Sequence, residues 1–167
     1  VQRTGIKAIK NDIVIVAMHT NLDAAFGGVN FKIAEKLRLR DVRFFGREKV
    51  VTNPLTDKKV TGGDGVIGCF DTPLAADDLI LLLKKEFDVE CVQANELLRR
   101  DIRTVALCGG SGSFLLQDAI NAGADAFITG EMGYHEFFGH EQEIQLCVIG
   151  HYQSEQYTTE VLRDVIE

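Results

Sequence analysis

Positively charged residues are scarce in this sequence. Its 167 residues include 18 Lys and Arg against 25 Asp and Glu, which gives a formal net charge of -7. A nucleic-acid groove depends on clustered cations that displace counterions from phosphates. The basic runs "KLRLRDVR" and "LLRRDIR" are interrupted by acidic or apolar residues, as is typical of solvated surfaces. The composition therefore argues against a nucleic-acid partner.

Long apolar runs are also absent. The longest, in "DDLILLLKK", is far shorter than the roughly 20 residues that cross a bilayer. The four cysteines stand singly, without the CxxC spacing of a zinc or redox pair. Most of them lie in apolar runs, where a thiol acts as a small hydrophobic group. We expect a protein of the reducing cytoplasm with no membrane partner.

Short runs rich in Val and Ile alternate with segments of helical periodicity, which predicts one α/β domain over residues 1–167. Residues 53–64, in a polar stretch rich in Gly and Asp, are either a linker or a hairpin. The predicted strands are "DIVIVAM", "DVRFFG", "VIGCFD", "VECVQA", "TVALCG", "ADAFITG" and "IQLCVIG". The predicted helices are "VNFKIAEKLRL", "DTPLAADDLILLLKKEF" with a Thr72 cap, "SFLLQDAINAG" ended by Gly123, a short one in "MGYHEFFGH", and "SEQYTTEVLRDVIE".

The glycine-rich turn "LCGGSGSF" follows the predicted central strand, at an edge where α/β proteins bind ligands. Backbone amides of Gly109, Gly110, Ser111 and Gly112 could bind a phosphate or an oxyanion beside the following helix. The turn matches neither the Walker loop nor the GxGxxG fingerprint. The alternative is a tight turn that lets strand and helix pack closely. A nucleophilic role for Cys108 would need a lowered thiol pKa.

His151 and Glu155 in "VIGHYQSEQ" are four residues apart, so a helix beginning by residue 151 places them on one face. Imidazole and carboxylate together suit Zn, Mn or Fe rather than Ca or Mg. The alternative is a helix start with Ser154 as its cap and Glu155 favoured by the helix dipole.

Two other predicted strand ends carry the same residue types. "HTNLDAAFGG" places His19 and Asp23 four residues apart, and "TGEMGYHEFFGH" contains Glu131 and His135. Asp23 could instead form a cap or an Asx turn, and the second pair could be ordinary surface residues. Because these junctions meet at one sheet edge, their carboxylates and histidines together indicate a metal centre.

Four blocks of the sequence resemble one family in order and wording: "HTNLDAAFGGVN", "CGGSGSFL", "ADAFITGEMGYHE" and "IGHYQSEQYTTEVL". This is the NIF-three-like family, whose members are often called GTP cyclohydrolase 1 type 2 homologues. The resemblance covers nearly the whole chain. It implies an α/β fold in which a layered mixed sheet is flanked by helices.

The resemblance also implies two divalent metal ions per intact subunit, of Zn, Fe, Mn, Co or Ni. In the family they are held by an adjacent His-His pair and by residues that correspond here to Asp23, His151 and Glu155. No two histidines are adjacent in this sequence. We therefore expect the chain to be the C-terminal part of a longer protein. Family members assemble as homohexamers, typically trimers of dimers.

The activity implied by the resemblance is metal-dependent hydrolysis of a nucleotide such as GTP, with opening of the purine ring. In that function the glycine-rich turn would meet a phosphate, and His19 or His135 would transfer protons. The alternative implied by the family is a metal-binding scaffold or regulator without fast turnover. A purely structural α/β domain would bind no metal.

Overall fold

The computed structural model describes residues 1–167, which form a mixed sheet flanked by helices, so the predicted fold class is confirmed. The strands are β1 (Arg40–Thr52), β2 (Lys59–Leu74), β3 (Gln93–Ala94), β4 (Ile102–Cys108), β5 (Ala126–Thr129) and β6 (Gln145–Val148). The helices are α1 (Gln2–Lys10), α2 (Thr20–Asp23), α3 (Val29–Lys36), α4 (Ala76–Glu86), α5 (Leu116–Asn121), α6 (His151–Glu155) and α7 (Thr158–Ile166). None of these helices combines the length and apolar content that a bilayer crossing requires.

The six strands lie in the order β1-β2-β4-β5-β6-β3. β4, β5 and β6 are parallel to one another, whereas β1, β2 and β3 each pair antiparallel with a neighbour. Residues Val105 to Cys108 of β4 are buried on both faces, as expected for a central parallel strand. The carboxyl ends of β4, β5 and β6 therefore meet at one edge of the sheet.

Two apolar cores cover the two faces of the sheet. Val105 and Leu107 of β4 belong to the larger core, which includes side chains of α3 and α4. Ala106 and Cys108, which point to the opposite face, belong to the smaller core with side chains of α5. Gly123 ends α5 as predicted, with a φ of +73° that favours glycine. Both faces of the central strands are thus covered by apolar side chains, which hold the strand ends and the loops that follow them in place.

The strand predicted for "DIVIVAM" is wrong. Ile13, Val14, Ile15 and Val16 are 60 to 86% exposed and have no regular secondary structure. Their composition favours a strand, but a strand forms only where a neighbouring backbone completes its hydrogen bonds. No strand of the sheet lies beside this segment.

The stretch around residues 53–64 forms a hairpin between β1 and β2, so the linker interpretation is wrong. The predicted Thr72 cap is also wrong, because β2 continues to Leu74, which pairs with Ile102 of β4. Helix α4 begins only at Ala76. Sheet pairing has overridden the local helix signal here. The predicted strand "VECVQA" is reduced to Gln93–Ala94, and the predicted C-terminal helix is divided into α6 and α7.

Candidate functional site

A cavity of about 300 Å³ lies at the carboxyl end of β4, between α2 and α6. We call it the acidic cleft, because Asp23, Asp64 and Glu155 contribute carboxyl groups to it. The structure thus brings together Asp23, His151 and Glu155, the three predicted metal ligands. The cleft is lined by His19, Thr20, Asp23, Ala24, Asp64, Cys108, Gly109, Ser111, Phe114, His151 and Glu155.

His151 and Glu155 stand on one face of α6, as their spacing predicted. Gly150, with a φ of +97°, turns the chain from β6 into this helix. The His151 Nε2 atom lies 3.4 Å from Glu155 Oε1. The alternative of a Ser154 cap is wrong, because this serine lies inside α6 and its Oγ donates to the His151 carbonyl oxygen at 2.8 Å.

Glu131, which follows β5, lies behind the His151 ring. Its Oε1 is 2.9 Å from His151 Nδ1, and this hydrogen bond, with smaller contributions from nearby carboxylates, raises the pKa of His151. When the imidazole is neutral, Nδ1–H donates to Glu131 and leaves the Nε2 lone pair facing the cleft. Metal-binding histidines are commonly held in this way by a carboxylate on the other ring nitrogen.

Asp23 is the last residue of α2 and is half-buried. Burial raises the pKa of its carboxyl group, and the neighbouring Glu155 carboxylate raises it further. His19 and His151 act in the opposite direction but more weakly. A carboxylate whose ionised form is disfavoured by burial and by a neighbouring carboxylate is in a place where a cation is stabilised. Asn30 holds this end of α2, since its Nδ2 donates to the Asp23 carbonyl oxygen at 3.1 Å.

The two histidines predicted to transfer protons lie in different places. His19 lines the acidic cleft, is exposed, and has Nδ1 3.2 Å from the Thr20 hydroxyl. His135 is not among the residues that line the cleft. It belongs to a short 3-10 helix, Tyr134–Phe137, where its ring packs edge-on against Tyr134 at 5.3 Å between centroids. Only His19 is therefore placed to act in the cleft.

The glycine-rich turn after β4 has little free hydrogen-bonding capacity. Three of the four amides that could have bound a phosphate donate instead to side chains inside the protein, so the structure favours the tight-turn alternative. These bonds run from Gly109 to Asn30 Oδ1 at 2.8 Å, from Gly110 to Ser154 Oγ at 2.9 Å, and from Gly112 to Thr129 Oγ1 at 3.0 Å.

Both the backbone conformation and the surroundings of Gly110 favour glycine at this position. Its φ is +61°, and a Cβ at this position would collide with Glu155 Oε1 and lie 3.2 Å from His151 Nε2. The turn therefore packs directly against the two ligands predicted on α6. Its glycine content serves this close approach.

Cys108 is not suited to act as a nucleophile. Burial, with smaller contributions from the carboxylates of Asp23, Asp64 and Glu155, raises the pKa of its thiol to about 12. The Sγ atom donates a hydrogen bond to the Asp64 carbonyl oxygen at 3.1 Å. The thiolate that such chemistry needs is thus strongly disfavoured.

Asp64 is the cleft residue that sequence reasoning missed. It lies on β2 in the stretch "GGDG", at the end of the residues 53–64 that were predicted to be a linker or a hairpin. A carboxylate between glycines is a weak signal, because the same pattern marks ordinary turns. Its position in the cleft depends on the pairing of β2 with β4, which no local pattern reveals.

The donor chemistry of the cleft fits a divalent transition metal, although its side chains are not gathered around one point. No three His, Cys, Asp or Glu side chains converge closely enough to hold an ion together. His151 nevertheless directs Nε2 toward Glu155 Oε1, and the Glu155 carboxylate contributes to the raised pKa of the half-buried Asp23. An imidazole with two carboxylates is a ligand set for Zn, Mn or Fe.

A family model described as Duf34/NIF3 (NGG1p interacting factor 3) matches residues 1–167. The chain belongs to the Duf34/NIF3 family. The family predicted from the four sequence blocks is thus confirmed.

Curated relatives carry the name GTP cyclohydrolase 1 type 2 homolog. The chain is 31% identical over 152 residues to the one from Clostridium perfringens, covering 90% of the chain and 55% of the relative. It is 31% identical over 134 residues to the one from Streptococcus pneumoniae, covering 78% and 46%. The chain spans about half the length of these Duf34/NIF3 relatives.

Solved structures share the fold. A hypothetical protein of Staphylococcus aureus matches with a TM-score of 0.79 at 24% identity, over 96% of this chain and 63% of that one. A Bacillus cereus protein related to NIF3 matches with a TM-score of 0.71 at 21% identity, over 96% and 70%. At these identities the likeness establishes the fold alone. The metal ligands stay predictions from residue spacing and the family resemblance, the homohexamer one from the resemblance, and the cytoplasmic location one from the cysteine pattern.

Proposed function

We propose that the protein is a metal-dependent hydrolase, in which Asp23, His151 and Glu155 hold a divalent metal ion in the acidic cleft. One observation carries this proposal: His151 is bonded to Glu131 through Nδ1 and presents Nε2 to Glu155 at 3.4 Å. A histidine oriented by a carboxylate on one nitrogen is ready to bind a metal through the other.

The electrostatics of the cleft support the same proposal. Burial and, second to it, the Glu155 carboxylate raise the pKa of Asp23, and the nearby histidines only partly oppose this. A divalent cation beside Asp23 would favour its ionised form. A half-buried carboxylate close to another is costly unless positive charge meets it, so this arrangement supports a bound cation.

When bound, the metal would supply Lewis acidity that brings water toward hydroxide near neutral pH. The chain's own residues would do the rest. Glu131 fixes the orientation of His151, while Asp23 and Glu155 supply negative charge. His19, at the wall of the cleft, would accept or return a proton, since a ring nitrogen of imidazole can act as acceptor or as donor. We assign no such role to His135, which lies outside the cleft.

A nucleotide is the substrate class that we propose, with GTP as the first compound to test. The support is the name of the curated relatives, GTP cyclohydrolase 1 type 2 homolog, and the size of the cleft, which at about 300 Å³ admits a heterocyclic ring. With GTP as substrate, hydrolytic opening of the purine ring would release formate.

The decisive experiment is elemental analysis of the purified protein, of Asp23→Ala and of Glu155→Ala. We expect stoichiometric divalent metal in the wild type and loss of most of it in both variants, because each removes a charged ligand. Asp101→Ala and Glu48→Ala are matched controls, since both residues are exposed and neither lines the cleft. Metal retained at the wild-type level in both cleft variants would refute the ligand assignment.

Turnover is measured separately, as formate released from GTP by the metal-loaded wild type. Metal without formate would argue against GTP ring opening and favour the scaffold alternative. Formate release that Glu155→Ala abolishes would support the hydrolase.

A further inference from the structure

A second cavity, of about 580 Å³, adjoins the acidic cleft. We call it the basic cavity, because Arg47 and Lys49 line it. Thr20, Ala24 and Asp64 line both spaces, so the cleft and the cavity adjoin at these residues. The other lining residues are Asn21, Ala25, Phe26, Val51, Val60, Thr61, Gly62 and Gly63.

The shape of the basic cavity comes from the β1–β2 hairpin. Phe45 pairs with Gly65 but Glu48 pairs with Gly63, so two residues of β1 oppose one of β2. This β-bulge contains Gly46, whose φ is +77°. Bulges redirect the side chains that follow them and are frequent beside functional sites.

Arg47 in the bulge and the residues that follow it form the wall of the cavity. Arg47, Lys49 and Val51 alternate along β1, and alternate residues of a strand share a face. Opposite them, Gly62 and Gly63 of β2 contribute no side chains to the wall. Gly62 also permits contact with α2, since a Cβ there would lie 2.7 Å from the Ala24 carbonyl oxygen.

The two cations in this cavity have no partners. Neither Arg47 nor Lys49 forms an ion pair, although the chain carries a net charge of -7 and acidic side chains are plentiful. Phe26, 78% exposed, lines the same space. Unpaired cations beside an apolar wall are suited to an anion attached to an organic group.

We propose that the basic cavity binds the phosphate group of the substrate, with Arg47 and Lys49 as the binding residues. This inference rests on the proposed function, because it places the phosphate of the substrate in the basic cavity and its reacting organic part in the acidic cleft. It replaces the glycine-rich turn as the phosphate site, since the amides of Gly109, Gly110 and Gly112 already donate to internal acceptors.

The charges also give the substrate a direction. Asp23 and Glu155, which line only the acidic cleft, repel a phosphate from it, while Arg47 and Lys49, which line only the basic cavity, attract it. A phosphate ester therefore binds with its anionic end against β1 and its neutral end toward His151. The ligand class is a phosphorylated compound with a neutral organic group, such as a nucleoside phosphate.

The test is isothermal titration of the protein with inorganic pyrophosphate, in the presence of a metal chelator. Charge-assisted bonds of this kind are worth about tenfold in affinity each, so we expect Arg47→Ala and Lys49→Ala to weaken binding about tenfold. Lys49→Gln, which keeps a polar side chain but removes its positive charge, should weaken it similarly. Arg43→Ala and Lys59→Ala are matched controls on the same two strands, because neither residue lines the cavity.

Weakening confined to the Arg47 and Lys49 variants supports the proposal. Equal affinity in all variants, equal weakening in the controls, or no binding to the wild type would overturn it. GTP should bind more tightly than pyrophosphate, because its organic part adds contacts with the cavity wall, and equal affinities would overturn the assignment to a substrate. Since the chelator removes metal, failure here is separate from failure of the metal analysis above.

Discussion

The acidic cleft and the basic cavity have three lining residues in common but are formed by different elements of the fold. The cleft lies where parallel strands end, and its side chains are held by hydrogen bonds such as His151 to Glu131. The cavity lies on an antiparallel hairpin, where Arg47 and Lys49 are exposed and unpaired. The first arrangement suits a metal, whose ligands must be fixed, and the second suits a flexible charged group.

One buried side chain connects the two regions. Asn30 is 1% exposed, and its Nδ2 donates to the carbonyl oxygens of Asp23 and Asp64, both at 3.1 Å. Its Oδ1 accepts the Gly109 amide at 2.8 Å. The cleft and the cavity should therefore respond together when Asn30 is changed and separately when residues of either region are changed.

Asn30→Ala is expected to have the largest effect. It leaves a buried amide and two carbonyl groups without their partner, which should lower the free energy of unfolding by about 2 to 4 kcal/mol. Urea unfolding followed by circular dichroism measures this change. We also expect weaker binding of both metal and pyrophosphate.

Asn121→Ala is the matched control, because this asparagine is exposed and bonded only to Gln117 in α5. Its effect on stability should stay within about 0.5 kcal/mol. If Asn30→Ala proved equally mild and both ligands bound as before, Asn30 would not connect the two regions.

Gly110→Ala should affect the cleft alone. The added methyl group would collide with Glu155 Oε1, so we expect metal affinity to fall about 100-fold while pyrophosphate affinity is unchanged. Gly123→Ala is the control, since its φ of +73° gives the same backbone strain with nothing within 4 Å of the new methyl. Metal titration of both variants separates steric displacement of a ligand from general strain, and equal losses in the two would contradict the steric explanation.

The sequence predicted the cleft better than the cavity, and the reason is physical. β4, β5 and β6 are short apolar runs bounded by Gly or Asp, so their positions and the loops after them could be predicted from local pattern. The spacing of His151 and Glu155 on α6 followed from helical geometry alone. The cavity instead depends on a bulge and on long-range pairing between β1 and β2, which no local pattern specifies.

The exposed segment from Ile13 to Val16 shows that local composition can also predict a strand that does not form. Its composition is that of a buried strand, yet it is exposed because no strand lies beside it. Local propensity indicates what a segment could form, while partners decide what it forms. Asp64 was missed for this reason also, since only the pairing of β2 with β4 brings it to the cleft.

Glu131→Gln should have the smallest effect, and it tests whether Glu131 orients His151 in the acidic cleft. The amide keeps the size of the side chain but removes its charge, so we expect metal affinity to fall about tenfold. The same change should lower the pKa of His151 in the metal-free protein, because the hydrogen bond to Glu131 is the main cause of its elevation. Titration of the His151 ring protons by NMR measures this shift.

The pH dependence of the stability change in Glu131→Gln follows from the direction in which the pKa of His151 is shifted. Since the folded state raises the pKa of His151, the bond to Glu131 contributes stability below the ordinary histidine pKa and loses it as pH rises through the folded value. Glu131→Gln should therefore destabilise the metal-free protein more in mild acid than at alkaline pH. Glu136→Gln is the control, because its carboxylate bonds the Gly133 amide and does not reach His151. An unchanged His151 pKa in Glu131→Gln would mean that Glu131 does not orient the ring.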